Sequence, residues 1–112
     1  MTPGVIGKGI RIKGELRGEE DLAVEGRVEG TIALKHNHLI VENSAVITAD
    51  VDVQNITIKG EMRGNTAASD KVEISTEAKV IGDIRAPRIV MEEGARFRGV
   101  VEMDVKLPPG LL

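Results

Sequence analysis

Cysteine, tryptophan and tyrosine are absent from this chain, and Phe97 is its only aromatic residue. The absence of cysteine excludes disulfides and thiolate metal sites, and it agrees with a reducing compartment, the cytoplasm by default. The shortage of rings leaves Val, Ile, Leu, Ala and Met to build the interior, which suits a narrow lumen of thin layers. Basic excess is lacking too: the formal net charge is -3, so nothing in the balance favours wrapping a nucleic-acid backbone. No apolar run approaches the roughly 18 residues that span a bilayer, and the N-terminus has neither the basic start nor the apolar stretch of a secretory signal. The chain is expected to be soluble or only peripherally attached to a membrane.

What is present is repetition. From Val5 to Val105 the sequence returns on itself about every 17 residues, so that residues 45–51, 78–84 and 95–101 are three copies of one phrase. Within each copy the apolar residues recur at every second position, which points them to one side of extended backbone. Three short runs of this kind fill each period. One side carries Leu22/Val24, Leu39/Val41, Ile56/Ile58, Val72/Ile74 and Ile89/Met91. A second carries Ile10/Ile12, Val28, Ala45/Ile47, Met62, Ala78/Val80 and Ala95/Phe97, and a third runs from Leu16 through Ile32/Leu34, Val51/Val53, Thr66/Ala68 and Ile84/Ala86 to Val101/Met103.

The expected fold is therefore all-β: a parallel β-helix of triangular cross-section with about six coils, the first of them irregular. At a strand spacing near 4.8 Å, six layers make a rod of roughly 30 Å. Residues 5–105 form the single domain, flanked by short tails at 1–4 and 106–112. Glycines such as Gly14, Gly26, Gly30, Gly60, Gly64, Gly82 and Gly99 fall where one side hands over to the next, as corners require. A second rhythm of two coils is superposed, because residues 22–30 match residues 56–64, and long and short corners alternate in the first half. The period of two and the frequent glycines exclude helices.

Catalytic apparatus is hard to find. Gly7-Lys8-Gly9 is followed by Ile12 where a dinucleotide fingerprint needs a third glycine, and no Gly-Lys-Ser/Thr P-loop occurs. His36 and His38 with Glu42 supply metal-ligand chemistry without an evident third converging ligand. The acidic groups Glu19-Glu20-Asp21 and Glu92-Glu93 read as solvated corners, since adjacent residues diverge and no nucleophile accompanies them. No catalytic, cofactor or metal residues are assigned, and no small-molecule substrate is expected. A triangular solenoid acyltransferase using His36 or His38 as base is the enzymatic alternative, and a non-polymerising adaptor is another. Phe97 stands apart: it is a bulky ring in the last full layer, where earlier copies have Ile47 and Val80, and it can plug the lumen and anchor a second subunit.

The phrases Gly-Asp-Ile-Arg-Ala at 82–86, Met-Glu-Glu-Gly-Ala-Arg-Phe at 91–97 and Gly-Glu-Glu-Asp-Leu at 18–22 resemble bactofilins, bacterial cytoskeletal proteins, over nearly the whole chain. The resemblance implies a right-handed β-helix that polymerises end to end without bound nucleotide, with cytoplasmic scaffold clients and the inner membrane surface as further partners. It implies roles in processes such as cell shape, polarity or chromosome positioning. It also implies that Phe97, with Ile89, Met91, Val101 and Met103, lies at one assembly contact, and that Ile10, Ile12 and Leu16 lie at the other. Val5 and Ile6 are the residues that offer a weak membrane contact.

Overall fold

In a computed structural model, which describes residues 4–103, the chain is built from parallel strands and contains no helix. In order these are β1 (Gly4–Ile6), β2 (Arg11–Arg17), β3 (Leu22–Val24), β4 (Arg27–Val41), β5 (Val46–Ile58), β6 (Glu61–Arg63), β7 (Thr66–Ile74), β8 (Lys79–Ile81), β9 (Ile84–Ala86), β10 (Arg88–Met91), β11 (Arg96–Arg98) and β12 (Val101–Met103). Their registers resolve into three stacks. The first face stacks residues 4–6, 22–24, 39–41, 56–58, 72–74 and 89–91. The second stacks 11–13, 27–29, 46–48, 61–63, 79–81 and 96–98. The third stacks 16–17, 32–34, 51–53, 66–68, 84–86 and 101–103. The expected three-sided solenoid of six coils is present. The tail residues 1–3 and 104–112 lie outside the described residues.

The first coil is more regular than the sequence suggests. Its first side is β1, with Gly4 opposite Leu22 and Ile6 opposite Val24. Gly4 has no side chain to register as an apolar position, and Ile6 stands 18 residues before Val24, one more than the common spacing, so the alternation is hidden there.

The lumen is closed by the alternating residues that the repeat supplies. Val28, Ile47 and Met62 are fully buried in one column and Val24, Val41, Ile58 and Ile74 in another, each burial contributing about 1.5–3 kcal/mol. Thr66 is the one buried polar residue among those described. Its hydroxyl donates to the Sδ of Met62 at 3.3 Å, and the long Met62 side chain fills the space beside the smaller Thr66 and Ala68.

Two kinds of corner join the first face to the second. Long corners close a turn in which Ile10 N–H donates to Gly7 O, Ala45 to Glu42, Ala78 to Ser75 and Ala95 to Glu92. Coils two and four use short corners at the buried glycines Gly26 and Gly60, which tuck beneath the preceding long turn. A Cβ on Gly26 would stand 2.3 Å from the carbonyl oxygen of Ile10. The alternation ends in coils five and six, where two long corners are stacked.

The corner between the second and third faces is a ladder of glycines. Gly14, Gly30, Gly64, Gly82 and Gly99 all have φ between 126° and 145°, a region nearly closed to other residues. Gly82 also has the Gly64 carbonyl oxygen 2.0 Å from where its Cβ would lie, whereas nothing lies within 4 Å of that point at Gly14 in the end coil. Gly14→Ala therefore carries only the backbone cost, about 1–3 kcal/mol, and Gly82→Ala adds a steric clash that parts two coils. Thermal unfolding is expected to place Gly82→Ala clearly below Gly14→Ala; equal melting temperatures would contradict the close-approach account.

Polar side chains on the outside of the first face link successive coils. Asp21 accepts the backbone N–H of His38 at 2.9 Å, His38 Nε2 lies 2.7 Å from Thr57 Oγ1, and Thr57 donates to Glu73 at 3.5 Å. Glu73 is paired with Lys71 at 2.8 Å. The hydrogen bond and positive charge of Lys71 hold the Glu73 carboxyl below its ordinary value, against a smaller opposing effect of burial, with His38 and Thr57 assisting. A depressed folded-state pKa stabilises the fold at pH values above the unfolded pKa, and that stabilisation is lost as pH falls through the folded pKa. In an NMR titration the Glu73 carboxyl is expected to protonate below the ordinary glutamate value, and Lys71→Met to raise its midpoint; an unmoved midpoint would remove Lys71 as the cause.

Candidate assembly ends

At the C-terminal end, the last coil continues the inward alternation but has no coil above it among the described residues. Ile89, Met91, Phe97 and Val101 stand in register over Val72, Ile74, Val80 and Ile84, all four of which are at most 1% exposed. Met91 and Val101 are 45% and 40% exposed, while Phe97 and Ile89 are half-buried and pack against the core. Phe97 is thus both a plug seated on Val80 and part of an uncovered apolar surface. Met103 follows Val101 along β12, opposite Ala86; its side chain lies outside what is described.

Three outward residues that the sequence did not single out enlarge this apolar surface. Ile81, Val90 and Val100 are exposed on the second, first and third faces of the last two coils. Ile81 occupies a position that elsewhere in its column holds Lys13 and Arg63, and Val90 one that holds Thr57 and Glu73 in the two coils before it. The signal was available as apolar residues at outward positions of the repeat.

The N-terminal end is a mouth of similar character. Ile6, Ile12 and Leu16 line an open cavity of about 450 Å³ together with Leu22 and Leu34, and Arg17, Glu19, Glu20 and Asp21 form its rim. Ile12 and Leu16 are partly buried against the core. Ile10 sits apart from this cavity, in the long corner where later coils have Ala45 and Ala78, and it is 48% exposed while those alanines are buried. The pair Val5 and Ile6 is split by the strand they share: Val5 points outward and is 61% exposed, whereas Ile6 is 7% exposed inside the lumen. Ile6 is therefore a core residue in this fold, because it completes the first coil.

Both ends also present strand edges. Each parallel strand donates and accepts hydrogen bonds toward both neighbours, so the first and last coils leave backbone groups that other coils satisfy, a ready template for further pairing.

The residues with ligand chemistry do not gather. No group of three or more metal-binding side chains occurs among the described residues. His38 is engaged with Thr57 and Asp21, His36 is exposed, and Glu42 lies in a turn whose carbonyl receives Ala45. Glu92 accepts the Thr76 hydroxyl at 3.1 Å, so it ties one corner to the next. No helix long and apolar enough to cross a membrane occurs among the described residues.

A family model described as bactofilin, polymer-forming cytoskeletal, matches residues 4–102. The chain is similar to three curated proteins of Myxococcus xanthus (strain DK1622). It is 57% identical to bactofilin BacN over 94% of this chain and 92% of that protein. It is 51% identical to bactofilin BacO, covering 95% and 83%, and 49% identical to bactofilin BacP, covering 96% of this chain but 44% of BacP. No solved structure matches it. A six-coil parallel solenoid with two uncovered apolar ends thus meets a family match over almost its full described length, and the chain belongs to the bactofilins, the polymer-forming cytoskeletal family.

Proposed function

We propose that this chain is a bacterial cytoskeletal scaffold whose rods join end to end into filaments, without nucleotide, through the coil surfaces at 89–103 and 4–22. The observation that carries the reading is the lumen left open at both ends. Residues whose counterparts one coil inward are almost fully buried are half-buried or exposed in the end coils, and a second rod supplies the missing layer. Free strand edges add backbone hydrogen bonds to that contact, each with a net value of about 0.5–1.5 kcal/mol. Phe97, Ile89, Met91, Val101 and Met103 form one joint, and Ile12 and Leu16, flanked by Ile10, form the other. The sequence holds no P-loop, which agrees with assembly driven by burial alone.

The filament works in the cytoplasm as a platform for other proteins in processes such as cell shape, polarity or chromosome positioning. A membrane contact, if one is made near the N-terminus, rests on Val5 alone, since Ile6 is enclosed; such a contact is weak per chain and gains strength only by repetition along a polymer.

Phe97→Arg sets a charge in the apolar joint, where burial without a partner is costly, and leaves the inner coils untouched. Electron microscopy and sedimentation without nucleotide are expected to show long filaments for the parent chain and short soluble species for the variant, with the same circular dichroism spectrum. Unchanged filaments would remove Phe97 from the joint, and a monodisperse parent chain at high concentration would favour the adaptor reading.

A further inference from the structure

The charges of this rod are not spread evenly over its sides. The outward positions of the second face carry Arg11, Lys13 and Arg27 in the first two coils and Arg63, Lys79, Arg96 and Arg98 in the last three. Only two carboxylates, Glu29 and Glu61, stand among these seven cations, in a chain whose formal net charge is -3. Glu29 is paired with Lys13 at 3.8 Å and Glu61 with Arg63 at 2.9 Å. Arg11, Arg27, Lys79, Arg96 and Arg98 have no side-chain hydrogen bond or ion pair among the described residues. Register brings like charges together toward both ends, because Arg11 lies directly opposite Arg27 and Arg96 directly opposite Lys79, which has Glu61 on its other side. Like charges opposite each other on a sheet are unfavourable, so the fold itself gains nothing from this arrangement.

The third face has the opposite character. Asp50, Asp52, Asp83 and Glu102 line a shallow open groove of about 460 Å³ whose floor is kept low by small residues such as Thr31 and Ala67. Arg85 also lies in the groove and is engaged in an interaction of its own. The cations of the second face lie in the first two and last three coils and the carboxylates of the groove in the third, fifth and sixth, so both sets follow the same coil spacing, near 4.8 Å. The outward positions of the second face hold no aromatic ring on which bases could stack.

We infer that the basic second face docks against the acidic third face of a neighbouring copy of this chain, so that filaments associate side by side. The contact is heterologous, one face meeting a different one. Six strands of three residues present roughly 250 Å², well below the roughly 800 Å² per partner of a stable pairwise interface. Single rods therefore associate weakly, and rods already joined end to end associate through many such contacts at once. The inference rests on the end-to-end reading for this multiplication, not for the contact itself.

A test that does not require filaments uses beads densely coated with the chain through a terminal biotin. One variant reverses the basic face (Arg27→Glu, Lys79→Glu, Arg96→Glu), a second reverses the acidic face (Asp50→Lys, Asp52→Lys, Asp83→Lys), and circular dichroism verifies that both fold. Parent beads are expected to cluster at about 20 mM salt and to disperse at about 500 mM, where charges are screened within a few ångströms. Beads carrying either variant alone are expected to cluster at least tenfold less, and a mixture of the two is expected to cluster again. Clustering of the basic-face variant at the parent level, or no recovery on mixing, would overturn the inference. So would parent beads that stay dispersed while the parent chain binds phosphatidylglycerol vesicles or duplex DNA, which would assign the face to lipid or nucleic acid. Under electron microscopy both variants are expected to keep the parent's filament length and lose its bundles; a parent chain without filaments would count against end-to-end assembly alone, leaving the bead result to decide the lateral contact.

Discussion

The hydrogen bonds that run from each coil to the next fix the rest of this molecule. Because parallel strands must stack in register at one spacing, each inward side chain has to fit directly over its counterpart in the coil below. That requirement selects Val, Ile, Leu and Ala for the columns and leaves bulk for Met62, where Thr66 and Ala68 give it room. It also forces the backbone so close at the corner between the second and third faces that glycine recurs there with positive φ, each one after Gly14 set against the carbonyl of the coil before. The third coil has Ala49 at this corner instead, without positive φ, so one departure is accommodated by a local change of backbone.

The same constraint governs what happens at the ends and sides. Stacking has no internal stopping rule, since every coil both receives and offers a complete set of strands. A short solenoid must either cap its ends with unlike residues or join another copy. Here the last coil keeps the inward alternation in Ile89, Met91, Phe97 and Val101, and apolar residues also appear on its outward positions. In the proposed filament the next rod continues this stacking, and the basic and acidic faces add a lateral contact that depends on charge rather than burial.

Much of this was legible before any coordinates. A side-chain period of two, three runs per repeat and glycine at the handovers determine a three-sided solenoid almost without alternatives, and Phe97 in register with Val80 follows from counting. Two features escaped for physical reasons. The strand at Gly4–Ile6 is hidden because a glycine occupies an inward position, and so the sequence does not mark Ile6 as the core residue that it is. The segregation of charge was hidden because outward residues of mixed sign look solvated along the chain, and only the register between coils brings Arg11 opposite Arg27. A spacing rule finds columns of like hydrophobicity readily; it finds columns of like charge only once the corners have been sized.

The central claim is that the interaction which stacks coils within a rod also joins one rod to the next. Amide hydrogen exchange on assembled and dispersed protein, read at the edge strands Arg96–Arg98 and Val101–Met103, measures it most directly. Edge amides that exchange freely in dispersed rods are expected to become protected on assembly to the level of the inner coils. Filaments whose edge amides exchange as fast as those of dispersed rods would contradict it.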